Sequence, residues 1–163
     1  MLHFDKLILN NFGPYKGRQV IDFTLESGVT IFWGNNGRGK TTLLNAFRYA
    51  LFGVIQRRNG QLKHLSEMEN EEAKTDGHYG FCVTLKMTND DDKYELTREF
   101  VPRKGVVKPN GDEDYIKEYY LKKNGSILSP SDCEHELNVI MPQQISRFFL
   151  FDAELLCIKQ EES

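Results

Sequence analysis

The chain has 163 residues, of which 39% are hydrophobic and 28% are charged, and its formal net charge is −3. That length and composition predict one soluble domain with its own core, and the slightly acidic balance provides no broad basic surface for nucleic acid or an anionic membrane. No apolar run approaches the roughly 18 residues needed to cross a bilayer, and the first residues lack a signal-peptide pattern, so we expect no membrane partner. Three widely spaced cysteines without a C-x-x-C pair indicate reduced thiols and a cytoplasmic location.

The first elements along the chain are predicted to form a β-hairpin. Residues 2–10 alternate well enough for a first strand, with Leu7 and Leu9 on one face and Ile8 on the other. Residues 11–14 (NFGP) are a turn signal, and residues 17–25 read as the second strand of the hairpin. Residues 26–28 then turn the chain into the next element.

The most informative segment is residues 34–41 (GNNGRGKT), which match the pattern G-x-x-x-x-G-K-[ST] of a phosphate-binding loop. The β-branched and aromatic residues 29–33 before it predict a buried strand. Residues 42–52 after it place apolar side chains on one helical stripe, and Gly53 stands where a glycine ends a helix. Strand, loop and helix therefore follow in the order that the motif requires.

This motif is chemically suited to a nucleoside triphosphate. Its glycines let successive backbone N–H groups point inward, and the following helix adds the positive end of its dipole. Lys40 would reach the β- and γ-phosphates, and the Thr41 hydroxyl would ligate Mg²⁺. The predicted ATP-binding residues are Gly34, Asn35, Asn36, Gly37, Arg38, Gly39, Lys40, Thr41 and Thr42.

A polar excursion and an antiparallel meander are predicted to follow. Residues 54–78 lack sustained periodicity and read as a long surface loop with room for a short helix. Residues 79–87 alternate strictly, and residues 93–100 return as their hairpin partner. The acidic run 89–92 is interpreted as the turn between them rather than as a metal site. The scattered histidines give no metal site beyond a nucleotide-bound ion.

The last third of the chain is predicted to contain another hairpin and two helical segments. Residues 101–114 form a loop, and the Asn-Gly pair at 124–125 is a strong hairpin signal between strands 115–122 and 127–128. Residues 131–134 resemble a capping box that opens a helix through about residue 141. An apolar stretch at 145–151 precedes residues 153–163, which are expected to begin a helix that leads to a coiled coil.

Four of these stretches together resemble the N-terminal half of the ATPase head in SMC-like ABC ATPases, including the SbcC DNA-repair ATPases and the DndD proteins of bacterial DNA-sulfur-modification systems. They are residues 7–15 (LILNNFGPY), 34–44 (GNNGRGKTTLL), 94–100 (YELTREF) and 145–154 (ISRFFLFDAE). The resemblance implies an α/β fold for residues 1–163, a P-loop NTPase lobe with an antiparallel β subdomain. It also implies that Asn36 faces the γ-phosphate and that residues 13–15 lie on the nucleoside side.

Two interpretations of Asp152 stay open. In the Q-loop interpretation, which we favour, Asp152 takes the place of the polar residue that approaches Mg²⁺ and the attacking water; it is then a catalytic and metal-binding residue beside Lys40. The sequence departs here from the Gln-Gly pair typical of the family. In the alternative, Asp152 holds Mg²⁺ from a Walker B strand and Glu154 is the base, although Ala153 separates the two acids.

The resemblance further implies a half-head whose nucleotide cycle acts on DNA, in repair, in DNA modification or in defence against foreign DNA. Its hydrolysis would need a C-terminal half or a second head subunit, with dimerisation through ATP. The alternative is a non-catalytic module that senses ATP and recruits a partner. Basic residues in or near the two long loops could serve DNA phosphates or a nucleotide across the dimer: Arg57, Arg58, Arg98, Arg103, Lys104 and Lys108.

Overall fold

The computed structural model describes residues 1–23, 30–33, 39–57 and 60–142, and these contain a six-stranded antiparallel sheet with helices against one face. The strands are β1 (Leu2–Phe12), β2 (Tyr15–Asp22), β3 (Phe81–Asn89), β4 (Asp92–Pro102), β5 (Tyr115–Lys123) and β6 (Ser126–Ile127). Their order across the sheet is β2-β1-β3-β4-β5-β6, and every neighbouring pair is antiparallel. The helices are α1 (Lys40–Phe52), α2 (Glu71–Thr75) and α3 (Pro130–Ile140), with short 3-10 turns at Leu65–Met68 and Asp112–Asp114.

The core lies between α1 and the sheet. Alternating side chains of β1, β3 and β4 supply one apolar face, because successive residues of a strand point to opposite sides. From the helix, Ala46, Tyr49, Ala50 and Leu51 are buried against that face. The residues of the sheet that are fully buried there include Leu7, Leu9, Val83, Leu85, Leu96 and Phe100. Burying side chains of this size contributes about 1.5–3 kcal/mol each, so this layer fixes the position of α1.

The three hairpins predicted from the sequence are confirmed. β1 pairs with β2, β3 with β4, and β5 with β6. Asn124 and Gly125 both have positive φ, as a two-residue hairpin turn requires. Asp90 also adopts positive φ in the turn between β3 and β4, so the acidic run is a turn as expected. The second strand differs in its start, since β2 begins at Tyr15 rather than at residue 17.

The strand predicted at residues 29–33 is not observed where the chain is described. Residues 30–33 belong to no strand, and the side chains of Ile31 and Trp33 are 61% and 88% exposed. A strand is held by hydrogen bonds to a neighbouring strand, and no described residue pairs with this segment. The prediction of a buried strand is wrong for these four residues, because β-propensity alone supplies no pairing partner.

Two further segments differ from expectation. Residues 54–78 are not entirely a surface loop, since Leu65, Met68 and Ala73 are buried and the segment contains both a 3-10 turn and α2. The last described helix is capped by Ser129 rather than by Ser131. The Ser129 hydroxyl accepts a hydrogen bond from the Asp132 backbone N–H at 3.3 Å, and Pro130 fills the first helical position, where no N–H is needed.

Candidate nucleotide-binding site

Helix α1 begins inside the phosphate-binding motif, at Lys40. Of the predicted ATP-binding residues, the structure describes Gly39, Lys40, Thr41 and Thr42, while residues 34–38 lie outside its described ranges. Asp152 and Glu154, the candidates for the Q-loop or Walker B role, also lie outside them. The described part of the site therefore consists of the motif's last residues and their neighbours.

The N-terminal end of α1 has no side-chain cap among the described residues. Its N-cap residue Gly39 adopts φ 92° and has no side chain with which to cap the N–H groups of the first turn. The first turn contains no acidic residue, and both Lys40 and Thr41 are exposed. A helix N-terminus without a side-chain cap, its dipole and a lysine together favour an anion at this end.

The turn between β1 and β2 packs directly against the start of α1. The Tyr15 hydroxyl donates a hydrogen bond to the Gly39 carbonyl oxygen at 3.2 Å. At Gly13, which has φ 56°, a Cβ would lie 2.8 Å from the Thr42 methyl carbon, and at Gly39 a Cβ would lie 2.7 Å from the Tyr15 hydroxyl. Glycine is therefore required at both positions for the turn and the motif to approach each other.

The other side of the turn is held by residues 65–70. Gly13 donates its N–H to the Met68 carbonyl at 2.6 Å, and the Asn70 side chain donates to the Gly13 carbonyl at 2.9 Å. Glu69, only 4% exposed, forms an isolated bridge with Phe12, and its carboxylate accepts from the Gly80 N–H and the Tyr115 hydroxyl. Burial, together with the Glu69 carboxylate, raises the pKa of the Tyr115 hydroxyl, which therefore stays a donor.

Asp112 attaches the same segment to the loop between β4 and β5. Its carboxylate accepts hydrogen bonds from the Leu65 and Ser66 N–H groups at 3.0 and 2.9 Å. Burial acts to raise the pKa of Asp112, but these backbone N–H donors and the nearby Lys117 outweigh it and lower the pKa. Residues 65–70 thus carry structural contacts that the sequence pattern did not reveal.

Arg98 closes the C-terminal end of α1. Its Nε and one Nη donate to the carbonyl oxygens of Ala50 at 2.7 Å and Leu51 at 3.2 Å, and its guanidinium lies 4.4 Å from the centre of the Tyr119 ring. Burial lowers the pKa of the guanidinium from its ordinary value. The interpretation of Arg98 as a contact for DNA or for a nucleotide is wrong, because its guanidinium is engaged within the protein.

The other basic candidates that the structure describes are exposed, and two of them have partners within the protein. Arg57 forms an ion pair with Glu67 at 2.5 Å, and Arg103 donates to the Glu113 carbonyl at 2.7 Å. Lys104 and Lys108 lie in the loop between β4 and β5, where Lys104 is exposed. Arg58 falls outside the described residues.

Two residues around α1 stand in sequence patterns whose significance could be recognised only from the structure. Arg98 occupies a core-facing position in the alternation of β4, between Leu96 and Phe100, where a charged side chain is unexpected. Asn70 directly precedes two glutamates at the start of a helix, which is the pattern of an N-cap. Neither pattern indicates which distant groups the side chains contact.

The described ranges contain neither a metal cluster nor a membrane span. No group of three or more His, Cys, Asp or Glu side chains there is arranged to hold a metal ion. None of the helices in those ranges has the length and apolar character to cross a membrane.

Comparisons with known proteins identify the family of this chain. A family model described as an AAA domain matches residues 6–162. The C subunit of the nuclease SbcCD from Treponema pallidum is 44% identical over 48 residues, which are 29% of this chain and 5% of that protein. The same subunit from Staphylococcus haemolyticus is 34% identical over 96 residues, 58% of this chain and 9% of that protein.

A DNA-repair ATPase is also similar to part of this chain. The DNA double-strand break repair Rad50 ATPase from Nanoarchaeum equitans is 30% identical over 101 residues, which are 62% of this chain and 11% of that protein. The chain thus spans a small part, 5–11%, of the length of these three relatives.

Proposed function

This chain belongs to the AAA domain family, as an N-terminal lobe of the SMC-like ABC ATPase type related to SbcC and Rad50, and from that premise we propose that it binds ATP at residues 34–42. The supporting observation is the start of α1, where the described residues provide no side-chain cap. The motif leads directly into a helix whose first turn has no side-chain cap, is exposed at Lys40 and Thr41, and is free of acidic residues. An anionic triphosphate would bind favourably to the positive end of the helix dipole and to the N–H groups of the first turn.

Different residues of the chain would then contact the phosphates and the metal ion. Lys40 and Asn36 would contact the phosphates, and the N–H groups of the motif would surround them. Thr41 fits a magnesium ligand, since it is exposed in the first turn of α1, carries a hydroxyl oxygen, and Mg²⁺ prefers oxygen donors. Asp152 would be the second ligand, and Mg²⁺ would neutralise charge on the transferring phosphoryl group.

We further propose that the ATP cycle acts on DNA and needs a partner. The relatives are described as a nuclease subunit and a DNA double-strand break repair ATPase. A C-terminal half or a second head subunit would supply the groups for hydrolysis, with two heads joined through ATP, in repair, modification or defence. The chain by itself is expected to bind ATP and to hydrolyse it slowly or not at all.

The binding proposal can be tested by fluorescence, because Trp33 is the only tryptophan and directly precedes the motif. Titrating the 163-residue chain with ATP and Mg²⁺ should change the Trp33 emission in a saturable way. Lys40→Ala should weaken binding by at least about 100-fold. Lys93→Ala removes the same charge from an exposed position in β4 and should bind as the wild type does. Equal affinity of the Lys40→Ala variant and the wild type would disprove the proposed site.

Hydrolysis separates the remaining alternatives. Phosphate release measured with and without duplex DNA should be close to background for the chain alone. Turnover that is abolished in Glu154→Gln would instead favour Asp152 and Glu154 as a Walker B pair. Saturable binding without turnover, even after addition of a C-terminal half from a related protein, would favour the ATP-sensing module.

A further inference from the structure

Asn70 is hydrogen-bonded through both ends of its side-chain amide and through its backbone N–H. The residue is 5% exposed and lies between the 3-10 turn Leu65–Met68 and α2. Its Oδ1 accepts from the Ala73 N–H at 2.9 Å, and its Nδ2 donates to the Gly13 carbonyl at 2.9 Å. Its own N–H donates to the Asn11 carbonyl at 3.0 Å. One partner donates to the amide group and the other accepts from it, so the two contacts fix its orientation.

These hydrogen bonds connect Asn70 to the candidate ATP site through one short turn. Gly13 receives the Asn70 amide on its carbonyl, and its Cα faces the Thr42 methyl group so closely that no Cβ would fit. Two residues further along, the Tyr15 hydroxyl holds the Gly39 carbonyl. The turn is thus enclosed between the start of α1 on one side and residues 68–70 on the other.

We propose that Asn70 is a positioning residue for nucleotide binding, acting through the Gly13–Tyr15 turn on the end of the phosphate-binding motif. The inference rests on the proposed function. Backbone donors recognise phosphate only when they are held within about 0.5 Å of their places. When Nδ2 no longer holds the Gly13 carbonyl, the turn can move away from Thr42, and Gly39 loses part of the support that fixes the first N–H groups of α1.

The side chain also has a purely structural role, and the two roles belong to different atoms. Oδ1 caps α2, whereas Nδ2 holds the turn. Asn70→Ser keeps an oxygen that can cap α2, because serine caps helices about as well as asparagine, but it has no amide to reach Gly13. Asn70→Ala removes both hydrogen bonds. Comparing the two variants separates positioning from capping.

The experiment measures ATP affinity by Trp33 emission and thermal stability for the wild type, Asn70→Ser, Asn70→Ala and Ser129→Ala. We expect both Asn70 variants to bind ATP about five- to tenfold more weakly, with the larger loss of Tm in Asn70→Ala. Ser129→Ala removes the cap of α3, which is not part of the motif or its turn, so it should lower Tm without changing ATP affinity. Wild-type affinity in Asn70→Ser, or affinity that follows Tm across all variants, would overturn the proposal.

Hydrogen exchange distinguishes this failure from failure of the proposed function. If the wild type does not bind ATP, the proposed function is wrong, whatever the variants do. Exchange at the amides of Gly13 and Leu43, which donate to the Met68 and Gly39 carbonyls, then tests the positioning itself, without nucleotide. Asn70→Ser should increase exchange there several-fold while leaving the amides of β3 unchanged. No increase would overturn the inference that Asn70 holds this end of the motif.

Discussion

The two ends of α1 are built in opposite ways. At the C-terminal end, the Tyr49 carbonyl accepts the Gly53 N–H at 2.8 Å, and Arg98 takes the carbonyls of Ala50 and Leu51. At the N-terminal end, Gly39 provides no side-chain cap, and Lys40 and Thr41 of the first turn are exposed. One end is closed by the protein's own groups, and at the other the described residues supply no side-chain cap.

This difference between the two ends separates contacts that stabilise the fold from contacts that serve binding. Contacts at the closed end lie away from the phosphate-binding motif. Breaking them should therefore lower the free energy of unfolding and leave ATP affinity largely intact. Contacts at the N-terminal end position the residues beside the phosphate-binding motif, so breaking them should weaken ATP binding as well as lower stability. The following variants test that separation, from the largest expected effect to the smallest.

Arg98→Met should cause the largest loss, about 3 kcal/mol of unfolding free energy. It keeps the aliphatic length but removes two charge-assisted hydrogen bonds, each worth about 1.5–3 kcal/mol, and leaves two helix carbonyls without this donor. Urea denaturation measures this loss of unfolding free energy. The matched control is Arg103→Met, whose side chain is exposed and donates to one carbonyl, with an expected change within about 0.5 kcal/mol. Equal effects of the two substitutions would contradict the role assigned to Arg98.

Gly53→Ala should cost about 2 kcal/mol at the same end. Gly53 has φ 71°, which costs roughly 1 kcal/mol for a residue with a Cβ. The added methyl would also lie 2.9 Å from an Arg98 Nη, so the guanidinium must shift from its carbonyls. Denaturation of the double variant with Arg98→Met is the check. The two losses should be less than additive, since both act on the same contact.

Gly13→Ala should weaken ATP binding about tenfold, or about 1.4 kcal/mol. The new methyl meets Thr42 and pushes the turn away from the motif. Gly17→Ala is the matched control, because Gly17 has a similar φ of 66° in the same hairpin but no atom within 4 Å of an added Cβ. Both variants should lose comparable stability, and only Gly13→Ala should lose affinity in the Trp33 titration. A similar loss of affinity in Gly17→Ala would attribute the effect to the hairpin rather than to the contact.

Tyr15→Phe should have the smallest effect, a two- to threefold weaker ATP affinity. It removes one neutral hydrogen bond to the Gly39 carbonyl, worth about 0.5–1.5 kcal/mol in stability terms, and keeps the ring. Phenylalanine at this position should leave Tm within a few degrees of the wild type. An affinity loss as large as that of Lys40→Ala would mean that Tyr15 contacts the nucleotide itself.

Much of the fold follows from local patterns. The strict alternation of β3, the Asn-Gly turn at 124–125 and the glycine after α1 each specify their structure within a few residues. The phosphate-binding motif is likewise recognised from eight consecutive residues. The amino-acid sequence by itself therefore determined the antiparallel hairpins and the end of α1, and it is the basis on which a nucleotide is proposed as the ligand.

Other features depended on groups that are far apart along the chain. Arg98 meets helix carbonyls 47 and 48 residues away, and Asn70 meets Gly13 across 57 residues. Residues 30–33 have the composition of a strand but lack a described partner strand, and Leu65, Met68 and Ala73 pack inward despite their polar surroundings. Only the tertiary structure decided these outcomes, because hydrogen-bond partners and burial are set by which surfaces the folded chain brings together.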